Sequence, residues 1–321
     1  MVHNDVALFG AGGYTGFELC KLLGLHPSVR FVCAASDSNA GKSVDEVTGA
    51  SSQLSFVKTE EAMETKANIA LLAVPPEAAL KLAPPLLAKG MRVIDLSNAY
   101  RASSEAVYGF ASLFASEIRT ANLIANPGCY ATCVITALAP LVRHNLSDEL
   151  VAVSAGSGVT GAGRSSDEAL SLGELHDNVR AYKVLRHQHV PEIEATLARL
   201  GSKPRVILTT HLLPIARGIF ATITVKLRGG TTTEQLVEHM RADYADDPTV
   251  TVMKTPEDVS LRKVVGTNQT HIGVAASGDV AVVTAAIDNL MKGAASQAIE
   301  NMNIMLRLPR VTGLLHLTRH A

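Results

Sequence analysis

Cysteine is scarce in this chain, four residues in 321, and no two of them stand in a CxxC pair. That leaves no disulfide framework and no zinc ribbon, and it fits a reducing cytoplasm. Charge of one sign is never concentrated: 29 Lys and Arg stand against 30 Asp and Glu, without a block of either. Neither a nucleic acid nor a membrane surface is therefore the expected partner, and a small molecule is. No uninterrupted apolar run reaches about 18 residues, so a transmembrane helix is not expected. A signal peptide is not expected either, because Met-Val-His-Asn leads directly into an apolar strand-like segment. Internal repeats and low-complexity linkers are also missing. With 321 residues to bury, two domains are the natural expectation.

The first 130 residues alternate short apolar runs with helical stretches. Val6 to Phe9, Phe31 to Ala35, Ile69 to Val74 and Arg92 to Leu96 read as strands, and Phe17 to Leu25 and Glu77 to Leu87 as helices. This is the βαβ grammar of an α/β, Rossmann-type parallel sheet. From about Glu149 the strand candidates lengthen and helices thin out, notably at Leu150 to Val153, Val206 to Leu208, Phe220 to Leu227 and Val280 to Ala286. A second, α+β domain with a more antiparallel sheet is expected there. Gly293 to Leu306 reads as an amphipathic helix.

Directly after the first strand comes Gly10-Ala11-Gly12-Gly13-Tyr14-Thr15-Gly16, and Phe17 opens a helix. Glycines let the backbone approach a pyrophosphate while the helix N-terminus offers N–H donors, so Gly10, Gly12, Gly13, Tyr14, Thr15 and Gly16 form a candidate dinucleotide cradle. After the second strand, Asp37 argues for NAD, whereas Ser36, Ser38, Asn39 and Lys42 suit a 2′-phosphate. From these residues both cofactors stay open.

Ala125-Asn126-Pro127-Gly128-Cys129-Tyr130 places a cysteine between a tight turn and an apolar helix running from Ala131 to Val142. Unpaired N–H groups and the dipole at a helix start favour a thiolate, which marks Cys129 as a candidate nucleophile. Cys20, Cys33 and Cys133 read as core. His187-Gln188-His189-Val190-Pro191-Glu192 adds two imidazoles and a carboxylate. A histidine can take a proton from a thiol and return it, and a carboxylate three residues on can orient it. Zinc is not expected at this HxH, because no further cluster completes a ligand set. The loop from Ser154 to Arg164, with Ser157, Gly158 and Gly161, offers backbone N–H groups to an anion, and Arg101 and Arg164 are candidate anion clamps.

Together these segments resemble the N-acetyl-γ-glutamyl-phosphate reductases of the semialdehyde dehydrogenase superfamily, over essentially the whole chain. The resemblance rests on Gly10 to Gly16 with Glu18-Leu19, Asn126 to Tyr130, Ser157 to Arg164, His187 to Ile193, His211 to Ile219 and Asp288 to Ala294. Three places depart from the family pattern: Ala131 and Gln188 stand where proline and arginine are usual, and Pro75-Pro76-Glu77 where many members carry Pro-His-Gly.

What the resemblance implies is an NADPH-linked, phosphate-releasing reduction of a small-molecule acyl phosphate to an aldehyde, in arginine biosynthesis, by a homodimer or homotetramer. It also tips residues 36 to 42 towards NADP, since one branch has a similar Ser-Asn-Ala-Gly-Lys stretch. On this reading residues 1–128, with a C-terminal segment from about 289 to 321, bind the cofactor, and 129–288 form the catalytic and dimerisation domain. Cys129 forms a thioester, His189 handles the proton with Glu192 orienting it, and His187 helps hold substrate together with Arg101 and Arg164. The exchange of roles between His187 and His189 stays open. An aspartate-semialdehyde dehydrogenase is the rival within enzymes, and a redox sensor that binds NADP without turnover is the rival outside them.

Overall fold

A computed structural model of the chain describes residues 4–162, 173 and 175–317. It divides into two compact units, the first reaching Gly128 and resuming at Ala294, the second running from Cys129 to Gly293.

The first unit contains β1 (Asn4–Phe9), α1 (Tyr14–Gly24), β2 (Val29–Ala35), α2 (Val44–Thr48), α3 (Thr59–Ala62), β3 (Ile69–Leu72), α4 (Pro76–Ala88), β4 (Arg92–Asp95), β5 (Val107–Tyr108), α5 (Ala111–Thr120) and β6 (Leu123–Ala125). Its six strands pair in parallel in the order β2-β1-β3-β4-β6-β5. The run Val6-Ala7-Leu8-Phe9 is fully buried, as is Ile69 to Leu72, because a parallel sheet is covered on both faces. This is the Rossmann-type sheet expected from the alternating pattern.

The second unit opens with α6 (Cys129–Arg143) and continues through β7 (Ser147–Ser157), β8 (Arg180–Tyr182), α7 (Val190–Leu200), β9 (Arg205–Leu212), β10 (Ile219–Leu227), α8 (Thr233–Asp243), β11 (Val250–Val252), β12 (Thr270–Ser277) and β13 (Val280–Ile287). The sheet order is β11-β12-β13-β10-β7-β9-β8, antiparallel except for the β11/β12 and β7/β9 pairs. Strict alternation along β7 and β10 buries Val151, Val153, Ala155, Ala221, Ile223 and Val225 on the face that α6 covers. Ala152, Ser154 and Thr224 point the other way and are exposed.

α6 is buried from Tyr130 to Val142. Pro140 has no N–H for the carbonyl of Thr136 one turn earlier. The Tyr244 hydroxyl donates to that carbonyl instead, at 2.6 Å, which lets the helix run through its proline.

The C-terminal helix differs from the amphipathic one expected. The chain passes through a π-helical turn, Met291–Ala295, into α9 (Ser296–Met305), and every residue of α9 is buried. Three of its polar side chains donate to backbone carbonyls within the first unit. Gln297 and Asn301 donate to the Gly109 carbonyl, and Asn303 donates to the carbonyls of Arg310 and Thr312.

Candidate active site

The glycine turn lies at the end of β1. Gly10 adopts φ +81°, and a Cβ on it would strike the Ala73 carbonyl, so only glycine is admitted. A Cβ on Gly12 would collide with the Ser36 hydroxyl. The backbone therefore comes directly against the hydroxyl at the end of β2. Gly13 is the N-cap of α1, whose first residues are Tyr14, Thr15 and Gly16. Beside the turn, Asn39 donates to Ser36 Oγ at 3.3 Å and Ser38 Oγ lies 3.5 Å from Ser36 Oγ, while Lys42 is exposed nearby in sequence. Asp37 is turned to other work: its two oxygens accept from the backbone N–H and the hydroxyl of Thr59, at 2.8 and 3.0 Å. The carboxylate that argued for NAD is thus engaged at the start of α3.

Arg101 also belongs to the first unit. Its Nε donates to the Asn126 carbonyl at 2.9 Å and an Nη to the Leu96 carbonyl at 3.0 Å. Asn126 is held in turn by Asn301, whose amide donates to its Oδ1 at 2.9 Å. The strand-to-helix turn before the cysteine is therefore braced from two sides.

In the second unit Cys129 is the first residue of α6, at the helix start expected for it. All four cysteines are free thiols, and Cys129 alone is partly exposed. Burial pushes the thiol of Cys20 up to about 12 and raises those of Cys33 and Cys133 as well, which leaves them unreactive.

Tyr130 carries the site across to the histidines. Its ring centroid is 5.1 Å from that of His187 and 6.0 Å from that of His189, and the two imidazoles are 4.7 Å apart. Tyr182, on β8, closes the group: its hydroxyl donates to that of Tyr130 at 2.9 Å, and its ring meets His187 edge-on. Burial raises both phenols, so they remain protonated donors.

The two imidazoles differ in environment. His187 is buried, and this together with the charge of Lys183 lowers it to about 4. Its Nδ1 accepts from the His189 backbone N–H at 3.2 Å, so the neutral ring carries its proton on Nε2. His189 stands at the N-cap position of α7 without a side-chain capping bond, and its Nε2 lies 3.8 Å from Glu192 Oε1, with both side chains buried. That separation exceeds a hydrogen bond but gives strong attraction between ions in a buried setting. Glu192 sits in the first turn of α7, where the helix dipole also favours a carboxylate.

The 157–161 segment differs from the anion nest expected of it. The N–H groups of Gly158, Val159, Thr160 and Gly161 donate to the carbonyls of Gly218, Ile215, Ala216 and Gly158. Ser157 Oγ donates to the Gly158 carbonyl, and a Cβ on Gly161 would stand 2.8 Å from that hydroxyl. The segment is a ledge tied to the loop after β9, with its N–H groups already used. Arg164 lies outside the described residues.

Tyr130, Tyr182 and Gly293 were not singled out from sequence. A Cβ on Gly293 would stand 2.8 Å from Cys129 Cβ. Position next to the cysteine was an available signal for Tyr130, whereas Tyr182 and Gly293 reach the site only through the fold.

Two family models match the chain: the semialdehyde dehydrogenase NAD binding domain over residues 5–121, and the semialdehyde dehydrogenase dimerisation domain over residues 129–289. Among curated proteins, N-acetyl-gamma-glutamyl-phosphate reductase of Bacillus cereus (strain AH187) is 39% identical across 97% of this chain and 98% of its own length. The protein of the same name from Bacillus anthracis is 38% identical with the same coverage. Among solved structures, aspartate semialdehyde dehydrogenase II from Vibrio cholerae superposes with a TM-score of 0.79 at 19% identity, covering 96% of this chain and 99% of that one. The aspartate semialdehyde dehydrogenase with NADP from Candida albicans superposes with a TM-score of 0.71 at 14% identity, covering 95% and 99%. At such identities the structural likeness speaks for the fold.

Proposed function

The chain belongs to the semialdehyde dehydrogenase family, and from that premise we propose that it reduces N-acetyl-L-glutamyl 5-phosphate to N-acetyl-L-glutamate 5-semialdehyde and phosphate with NADPH. This is the reduction that the name of its relatives at 38–39% identity describes, and the proposed pathway is arginine biosynthesis. The observation that carries the chemistry is that the one partly exposed thiol begins α6 while its neighbour Tyr130 packs on both imidazoles of a buried His and Glu group.

The proposed cofactor domain is 1–128 with the C-terminal segment, and its residues suit NADP. Gly10, Gly12, Gly13 and the α1 start at Tyr14, Thr15 and Gly16 would hold the pyrophosphate. Ser36, Ser38, Asn39 and Lys42 would hold the 2′-phosphate, because Asp37 is committed to Thr59. Ser157, Gly158 and Gly161 would meet the cofactor by close approach of backbone. Bound NADPH supplies a hydride.

Cys129 Sγ attacks the acyl carbon of the substrate, the C–S bond forms, and phosphate leaves with the electrons of the C–O bond. The product on the enzyme is a thioester. His189 takes the thiol proton in this step and returns it to the sulfur when the aldehyde departs, and the Glu192 carboxylate stabilises the imidazolium in between. His187, neutral with its proton on Nε2, donates to substrate rather than exchanging protons. N–H groups at the start of α6 face the developing oxyanion. Arg101 and Arg164 are the proposed substrate clamps.

The family match covering 129–289 is to a dimerisation domain, and the outward face of the second sheet suits that role. Ala152, Ser154, Thr222, Thr224 and Val282 make a surface of small side chains on adjacent strands. The proposed assembly is a homodimer across this face. The proposed location is the cytoplasm, where the four free thiols stay reduced.

The test follows NADP reduction by absorbance with N-acetyl-glutamate semialdehyde and phosphate, beside aspartate semialdehyde, for the wild type and Cys129→Ser. Phosphate-dependent turnover of the acetylated substrate, abolished by the substitution, is the expected result. Preference for aspartate semialdehyde would overturn the substrate, and NADPH binding without turnover of either would overturn the activity.

A further inference from the structure

We propose that the Arg217–Asp288 ion pair is a positioning couple for Cys129, acting through the π-helical turn that holds Gly293 against the backbone of the nucleophile. The proposal rests on Cys129 being the nucleophile.

Asp288 follows β13 and is fully buried. Its Oδ1 accepts from the N–H groups of Leu290 and Met291 at 2.8 and 3.1 Å, and its Oδ2 accepts from Gly266 N–H at 2.6 Å. Arg217 Nη2 lies 3.2 and 3.1 Å from the two oxygens. A buried carboxylate is tolerated only when it is so paired and hydrogen-bonded. All of these donors converge on the entry to the Met291–Ala295 turn.

The same residue shapes that turn with its backbone. Gly293 N–H donates to the Asp288 carbonyl at 2.9 Å, five residues back rather than four, which widens the turn from α to π. The wider turn brings Gly293 onto Cys129. A Cβ there would stand 2.8 Å from Cys129 Cβ and 3.2 Å from its Cα, so Gly293 fits with nothing to spare. Released to α spacing, the turn would offer a different residue to this contact.

Asn289 extends the junction to the ledge. Its Oδ1 accepts from Gly218 N–H at 2.7 Å, and its Nδ2 donates to Thr160 Oγ1 at 3.1 Å. Gly218 in turn accepts from Gly158 N–H. One dipeptide after β13 therefore sets both the seat of the nucleophile and the loop through Thr160. The Arg217 side chain is a quarter exposed while Asp288 is sealed, so the arginine is the safer partner to replace.

The experiment measures iodoacetamide alkylation of Cys129 across pH, together with kcat and KM, in Arg217→Met, Arg217→Lys, Asp288→Asn and Gly293→Ala. The other three thiols are buried, and Cys129→Ser supplies the blank. A misplacement near 1 Å costs on the order of 100-fold in rate. Arg217→Met, Asp288→Asn and Gly293→Ala should therefore each lower kcat by about 10- to 100-fold and shift the alkylation profile. Arg217→Lys should recover most of the loss. Wild-type kcat and alkylation in folded Arg217→Met and Gly293→Ala overturns the proposal, as does an Arg217→Lys enzyme no better than Arg217→Met. Should Asp288→Asn not fold, those variants carry the test. Turnover surviving in Cys129→Ser would overturn the nucleophile instead, a separate result, since alkylation is read without substrate.

Discussion

Replacing Tyr244 by phenylalanine removes one hydroxyl from the helix that carries the nucleophile. That hydroxyl donates to the Thr136 carbonyl at 2.6 Å, both residues are buried, and Pro140 has no N–H to take its place. The ring keeps its packing, so the loss is that of one hydrogen bond plus a buried carbonyl left without its donor, about 1–3 kcal/mol. For a unit of this size that corresponds to a fall in Tm of roughly 2–12 °C, read by calorimetry or thermal circular dichroism. A double-mutant cycle with Pro140→Ala isolates the cause. Alanine restores an N–H within reach of Thr136, so it should stabilise the Tyr244→Phe variant more than the wild type, with a coupling of at least about 0.5 kcal/mol. Equal gains in both backgrounds, or a Tyr244→Phe cost under a few tenths of a kcal/mol, would refute the assignment. Cys129 lies two turns earlier on α6, so kcat of the folded fraction should hold.

Three further outcomes are expected. His187 is lowered from its ordinary 6.5 to about 4, so the unfolded chain binds the proton first. Stability from this group is complete above pH 6.5 and is lost as pH falls towards 4, by at most about 3 kcal/mol, and His187→Asn should flatten urea midpoints across that window. Gly12→Ala forces a Cβ onto the Ser36 hydroxyl; at the roughly 1–3 kcal/mol typical of overpacking, NADPH affinity should fall about 5- to 150-fold in a fluorescence titration, with Cys129 alkylation unchanged. Thr224→Arg places a charge at the centre of the small-residue sheet face, and sedimentation should then show monomer, whereas an intact dimer would place the interface elsewhere.

Much of the first unit, and part of the second, was legible because the signals are local. Apolar runs of strand length, a glycine turn between strand and helix, and a cysteine after Pro127-Gly128 depend only on residues a few positions apart, and each appears where the pattern put it. The pairing of His189 with Glu192 belongs to the same class, being one helical turn. The short strands β5, β8 and β11, of two or three residues, carry too little pattern to be read from sequence, and neither β6 nor β12 was among the strands expected. β6 is three residues long, and β12 begins Thr270-His271, polar residues that the fold buries.

What the chain order decided alone, then, is which elements form and where the reactive types sit on them, since backbone preferences and periodicity act over a turn or a pleat. Only the tertiary structure decided which partner each polar group meets. Asp37 binds Thr59 across 22 residues, the N–H groups after Ser157 are taken by carbonyls of the loop following β9, and α9 is sealed although half its positions are polar. Asp288 finds Arg217 across 71 residues and in doing so brings Gly293 to Cys129. A buried donor or acceptor must be satisfied by whatever the packed topology brings beside it, and that neighbour is set by the sheet order, which no local pattern contains.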